Sequence, residues 1–169
     1  IGDIGHDTIF GEAGDDSIDA GEGNNYVDGG SGNDTVAAGT GNDTIFGNTG
    51  DDSINAGNGN NFVFGEDGND HIVTGIGNDS IAGGSGEDTI DSGGGNDRID
   101  TGSGDDYVVA GSGNDTVFNL SDYDTVFGGD GDDSIDASTS TTADYIDGGN
   151  GNDTIYGSTD SVDGDTILA

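Results

Sequence analysis

The chain of 169 residues contains no cysteine, proline, methionine or tryptophan, and Arg98 is its one strongly basic side chain. Without cysteine there is neither a disulfide framework nor a zinc–thiolate site, although that absence leaves the compartment open. His6 and His71 are isolated in the sequence, which makes zinc a poor candidate and reads them as plain turn or surface residues. One Arg against 36 acids gives a formal net charge of −35, which rules out a nucleic-acid surface and argues against anionic membranes. The natural partners of such a chain are cations. No apolar run is long enough for a membrane span or a signal h-region, and the chain reads as an excised module. The many carboxylates come with no Ser/His/Asp or Cys/His set, so no enzyme activity is expected.

What the chain has in excess is glycine, with 37 residues, and a strict period. Ile9, Ile18, Val27, Val36, Ile45, Ile54, Val63, Ile72, Ile81, Ile90, Ile99, Val108, Val117, Val126 and Ile135 stand nine apart without a slip, each with Asp or Asn two residues before it. Two stretched intervals carry the grid on to Ile146, Ile155 and Ile167, making eighteen units. A unit such as Gly29-Gly30-Ser31-Gly32-Asn33-Asp34-Thr35-Val36-Ala37 has nine columns of the form G-G-x-G-x-D-x-U-x. The fourth column is Gly in fifteen of the eighteen units and the sixth is an acid or amide in all, a phase that a merely solvated acidic surface would not keep.

Columns seven to nine, such as Thr44-Ile45-Phe46, predict a three-residue strand whose central side chain points inward. The Gly-rich, polar columns one to six suit a tight turn with positive φ and close approach to a ligand. Two units then form one coil of eighteen residues, and stacked coils pair each strand in parallel with the strand eighteen residues on. The expected fold is all-β: a right-handed parallel β-roll, a β-solenoid of about nine coils and roughly 40 Å in length. First-column Gly11, Gly29, Gly47, Gly65 and Gly83 alternate with Ala20, Ala38, Ala56, Thr74 and Ser92, so the two sides of the roll are not equivalent. Asn24-Asn25-Tyr26-Val27 is echoed by Asn60-Asn61-Phe62-Val63, which suggests duplication of two coils at a time.

This nonapeptide resembles the calcium-binding repeats of the RTX (repeats-in-toxin, hemolysin-type) family over essentially the whole chain. The resemblance implies multiple calcium ions, each lying between successive turns on one edge of the roll. Its ligands would be main-chain carbonyls of the Gly-rich segments and the sixth-column carboxylate, an oxygen set that suits calcium and suits magnesium poorly. Carried onto this sequence, one edge has Asp16, Asp34, Asp52, Asp70, Asp88 and Asp106, with the fourth-column Gly14, Gly32, Gly50, Gly68, Gly86 and Gly104. The other has Asp7, Asn25, Asp43, Asn61, Asp79, Asp97, Asp115, Asp133 and Asp153. Asn25 and Asn61 bring no charge, so weaker calcium occupancy is expected around them. Asn119-Leu120-Ser121-Asp122-Tyr123-Asp124 lacks Gly, which makes Asp124 a weak ligand candidate.

A thin aliphatic core in a self-repelling chain should stay unfolded until bound cations neutralise it. The regular roll is expected over residues 1–136, and its continuation over 137–169 has longer, irregular turns. The resemblance further implies a structural module of a secreted or cell-surface bacterial protein, exported by a type I system and folding on calcium outside. The rival reading is a self-assembling subunit of a surface layer, sheath or extracellular filament, because neither end shows a capping element. One sheet should present Phe10, Tyr26, Phe46, Phe62, Phe64, Phe118 and Tyr156 outward, and the other Tyr107, Phe127, Tyr145 and His71. Such a face suits self-association or contact with a protein or polysaccharide as readily as plain cross-strand packing.

Overall fold

The computed structural model describes residues 2–158 and 164–168. Its strands, in chain order, are β1 (Thr8–Phe10), β2 (Ser17–Asp19), β3 (Tyr26–Ser31), β4 (Thr35–Ala37), β5 (Thr44–Thr49), β6 (Ser53–Asn55), β7 (Phe62–Asp67), β8 (His71–Ile76) and β9 (Ser80–Ser85). They continue with β10 (Thr89–Gly94), β11 (Arg98–Ser103), β12 (Tyr107–Ser112), β13 (Thr116–Phe118), β14 (Thr125–Asp130), β15 (Ser134–Asp136), β16 (Tyr145–Asn150), β17 (Thr154–Tyr156) and β18 (Thr166–Leu168). The odd-numbered strands form one nine-stranded sheet and the even-numbered strands another. Every pairing is parallel, and the described residues contain no helix. The chain is thus a β-solenoid of about nine turns, as its period predicts.

Register follows the grid. Val27 pairs with Ile45, Ile45 with Val63 and Val63 with Ile81, each eighteen residues on. The interval widens to twenty at Val126↔Ile146 and Ile135↔Ile155, and to twenty-one at Ile146↔Ile167. The residues inserted between Ile135 and Ile146 therefore lie in a turn and the strands stay in phase, since a slip of one residue would turn every Ile and Val outward; the longer turn expected after Gly157 lies largely outside the described residues. The grid residues from Val27 to Ile146 are all buried and stack into a single aliphatic column between the sheets.

Many strands are longer than the three residues expected. In β3, β5, β9, β11, β12 and β14 the extended backbone runs on through the first three columns of the next unit, and burial alternates through them. With a period of two, the residue two beyond each Ile or Val also faces inward. That is the first column, so Ala20, Ala38, Ala56, Thr74, Ser92 and Ala110 form a second buried row. The alternation of Gly with Ala, Ser or Thr separates the two sides of this interior. At the turn without glycine, Asn119 takes a left-handed φ of 66° and Leu120 becomes fully buried, filling the inward place.

Outward side chains follow the alternation of strands. Phe10, Tyr26, Phe46 and Phe64 form a ladder on the odd sheet with centroid separations of 6.0, 5.7 and 4.9 Å. Tyr107, Phe127 and Tyr145 form another on the even sheet, at 5.8 Å for both steps. Arg98 lies over the Phe118 ring at 4.0 Å.

Candidate metal-binding edges

Columns four to six turn the chain from one sheet to the other; the fourth-column N–H still donates to a main-chain carbonyl of the next coil, as Gly32 does to Thr49 at 2.8 Å, but the N–H groups of columns five and six leave the ladders. The sixth-column side chain takes up the sixth-column N–H. On the first edge the N–H groups of Asp16, Asp34, Asp52, Asp70 and Asp88 donate to Oδ1 of Asp34, Asp52, Asp70, Asp88 and Asp106, at 2.7–2.8 Å. On the second, Asp7, Asn25, Asp43, Asn61 and Asp79 donate to Oδ1 of Asn25, Asp43, Asn61, Asp79 and Asp97 at 2.7–3.0 Å. Asp97, Asp115 and Asp133 continue it to Asp115, Asp133 and Asp153 at 2.8–3.0 Å. Each carboxylate therefore reaches across to the preceding coil, and the two expected rows of ligand candidates are two continuous hydrogen-bonded files.

Only one oxygen of each carboxylate is used in this way. Oδ2 of Asp16, Asp34, Asp52, Asp70, Asp88, Asp106 and Asp124 on the first edge is buried without a hydrogen-bond donor. The same holds for Asp43, Asp79, Asp97, Asp115 and Asp133 on the second. Buried anionic oxygens with no donor are costly, and rows of them a coil spacing of roughly 4.8 Å apart also repel. Burial accordingly pushes the Asp52, Asp70 and Asp88 carboxyls up to about 6, against the backbone N–H bonds that favour the charged form. Asp115 and Asp124 rise to about 7 and Asp106 to about 8, again first through burial, with the neighbouring carboxylates adding to it. Asp43, Asp79, Asp97 and Asp133 are raised by burial too.

On the first edge the space around these oxygens is oxygen-lined. A methyl built on Gly29, Gly47, Gly65 or Gly83 would lie 2.3–2.5 Å from Oδ2 of Asp34, Asp52, Asp70 or Asp88. It would also lie 2.5–3.0 Å from the first-column carbonyl oxygen of the next coil. Glycine is required because carboxylate and carbonyl converge there, two acceptors facing one space with no donor between them. A hard cation fits that donor set, and a proton is the other species that relieves it. Among the described residues no three acidic or imidazole side chains converge on one point, so a metal ion here would draw on single-file carboxylates and main-chain oxygens.

The fourth-column Gly14, Gly32, Gly50, Gly68, Gly86 and Gly104 all have positive φ, from 111° to 137°. From Gly32 onward a Cβ would fall 2.0–2.5 Å from the main chain of the fourth-column Gly one coil earlier, so close stacking of the turns also demands glycine. Asp7, Asp16 and Asp153 are part-buried members of the files, and Asp7 Oδ2 accepts the Asp3 N–H at 3.2 Å.

Two features escape the sequence reading. Asp124, in the glycine-free turn, is nevertheless a full member of the hydrogen-bonded file: it is buried, accepts the Asp106 N–H at 2.9 Å and lies beside a turn whose Leu120 is fully buried. Beyond it the file continues to Asp144 and Asp165, at 3.0 and 3.1 Å. Each of those stands two residues before a grid Ile, the signal by which it was findable. The fifth column forms a second, exposed file in the opposite sense. Oδ1 of Asn24, Asn42, Asn60, Asn78 and Asn96 accepts the N–H of Asn42, Asn60, Asn78, Asn96 and Asn114 at 2.7–2.8 Å. Asp15, Asn33, Asp51 and Asn69 do likewise on the first edge for Asn33, Asp51, Asn69 and Glu87. Each turn is clamped to the coil before it and the coil after it.

No curated protein matches the chain. The family model of the RTX calcium-binding nonapeptide repeat (four copies) matches residues 1–36, 28–63, 37–72, 64–99, 82–117, 109–140 and 138–166. With its repeats stacked as a β-solenoid and its sixth-column oxygens in file along both edges, the chain belongs to the RTX calcium-binding nonapeptide repeat family.

Proposed function

We propose that this chain is a non-enzymatic structural module of a secreted or cell-surface protein, one that folds as calcium fills its turns after export. The observation that carries the reading is the pair of files of buried carboxylates, whose second oxygens on the first edge, and at Asp133 on the second, face main-chain carbonyls without a donor. Bound calcium supplies the positive charge that these oxygens lack. Asp16, Asp34, Asp52, Asp70, Asp88 and Asp106 would hold it on the first edge, with Asp124 extending the row and main-chain oxygens from the turns of Gly14, Gly32, Gly50, Gly68, Gly86 and Gly104 completing it. Asp7, Asp43, Asp79, Asp97, Asp115, Asp133 and Asp153 would do so on the second. Extracellular calcium modules commonly bind at ~10⁻⁴–10⁻³ M, so the chain would remain a repelling coil in a calcium-poor cytoplasm and fold outside.

A calcium titration followed by far-UV circular dichroism tests this. A coil in chelator, a cooperative rise of β signal with calcium and little response to magnesium are expected; an unchanged β spectrum after exhaustive metal removal refutes it. The ladder Phe10–Tyr26–Phe46–Phe64, with Phe10 and Phe62 more than half exposed, favours a second reading. In it the odd sheet is a contact surface for another protein, a polysaccharide or a further copy, and the chain is a subunit of a surface layer, sheath or filament. Light scattering on calcium addition separates the two, since an isolated module stays monodisperse.

A further inference from the structure

Asn25 and Asn61 interrupt the acids of the second edge, and they do so without interrupting its hydrogen bonds. Their Oδ1 atoms accept the N–H groups of Asp7 and Asp43, each at 3.0 Å, as the aspartates do elsewhere. The difference lies at the other terminal atom. Asn25 Nδ2 donates to Gly23 O in its own turn at 3.1 Å and to Ala38 O at 3.3 Å. Asn61 Nδ2 donates to Gly57 O at 3.2 Å and to Gly59 O at 3.3 Å. Ala38 is the first-column residue of the next coil on that edge. In the turns of Asp34, Asp52, Asp70 and Asp88, the corresponding first-column carbonyl of the next coil converges with an unpartnered carboxylate oxygen. Asparagine thus puts a donor where aspartate puts a second acceptor.

We infer that Asn25 and Asn61 are cation surrogates: their amides close these two turns by direct hydrogen bonds and keep calcium out of them. The inference rests on the calcium-module reading and adds to it a rule for which turns load. A cation entering either turn would have to break the N–H···O bonds, meet the positive end of the amide dipole and do without one carboxylate. The two residues lie thirty-six apart on the same edge, with Asp43 between them, while the first edge beside them keeps Asp16, Asp34, Asp52 and Asp70. The early coils are therefore metal-dependent along one edge, while on the other two turns are closed by amides and Asp43 has uncharged neighbours in its file on both sides. That arrangement lowers the number of ions the early coils need and leaves the later coils, with acids on both edges, as the more calcium-demanding part.

The test is a count. Native mass spectrometry at saturating calcium is applied to the unaltered chain, to Asn25→Asp, to Asn61→Asp, and to a control, Asn42→Asp, whose exposed fifth-column side chain accepts the Asn60 N–H. Each of the first two substitutions is expected to add at least one bound ion and the control none. In the unaltered calcium-loaded chain, the side-chain amide protons of Asn25 and Asn61 should exchange with solvent at least tenfold more slowly than those of Asn42. This readout stands even if a variant fails to fold. Unchanged ion counts in both aspartate variants, or amide exchange as fast as at Asn42, overturn the inference. An unaltered chain that binds no calcium at all fails the calcium reading itself and takes this one with it.

Discussion

Replacing Gly65 with alanine places one methyl where the chain has no room for it. The added carbon would stand 2.3 Å from Asp70 Oδ2 and 2.5 Å from Gly83 O. Neither neighbour is free to move: Gly83 lies within β9, and the Asp70 carboxylate is held as acceptor of the Asp52 N–H at 2.8 Å. Overpacking of this kind costs ~1–3 kcal/mol. Swinging the carboxylate aside would forfeit a charge-assisted bond worth ~1.5–3 kcal/mol. Gly65 has no positive φ, so the penalty is steric and not conformational. A loss of ~2–4 kcal/mol is expected in urea unfolding at saturating calcium. The calcium midpoint is the poorer assay, because a loss of ~3 kcal/mol shared among several ions moves it little. The control is Ala56→Gly on the other side of the interior, where a buried methyl already fits and its removal costs ~1 kcal/mol. A Gly65→Ala chain within ~0.5 kcal/mol of the original, the range of an ordinary surface change, would refute the crowded-oxygen description of the edge.

The same carboxylates set the response of the metal-free chain to pH. Folding raises Asp52, Asp70 and Asp88 to about 6, Asp115 and Asp124 to about 7 and Asp106 to about 8, from an ordinary 3.8. The folded state then binds protons more tightly, so this stabilisation is fully present below 3.8 and is lost as pH rises through about 6 to 8. In chelator, β signal in circular dichroism should grow on acidification from pH ~8 to ~4, and a rise in the opposite direction would contradict the burial of these groups. Asp88→Asn keeps the Oδ1 that accepts the Asp70 N–H but removes the unpartnered anionic oxygen. It should bind less calcium and, in chelator, gain β signal on acidification at a higher pH than the unaltered chain, both measurable on one preparation. Ile90→Ala, at a fully buried grid position, should cost ~2–5 kcal/mol in urea unfolding, whereas Ile167→Ala, at 41 % exposure, should cost under ~1 kcal/mol.

How far the sequence reaches is visible residue by residue. A nine-residue period with Ile or Val at one column and Asp or Asn at another leaves one way to bury the aliphatic side chains, with two units to a coil, parallel pairing at eighteen and the aromatics sorted onto their sheets by strand parity. The two files of sixth-column residues follow from the same arithmetic. These properties are local and periodic, and the order of the residues alone determines them. The inward first column, the opposed file of fifth-column amides, the continuation through Asp144 and Asp165, and the burial of Leu120 at the glycine-free turn come only with the stacked coils. So does the contrast between a donor at Asn25 or Asn61 and an unpartnered acceptor at the aspartates. Each depends on which atoms of one coil meet those of another eighteen or more residues away, and a side chain's type does not say whether its second terminal atom will find a donor, a carbonyl or nothing.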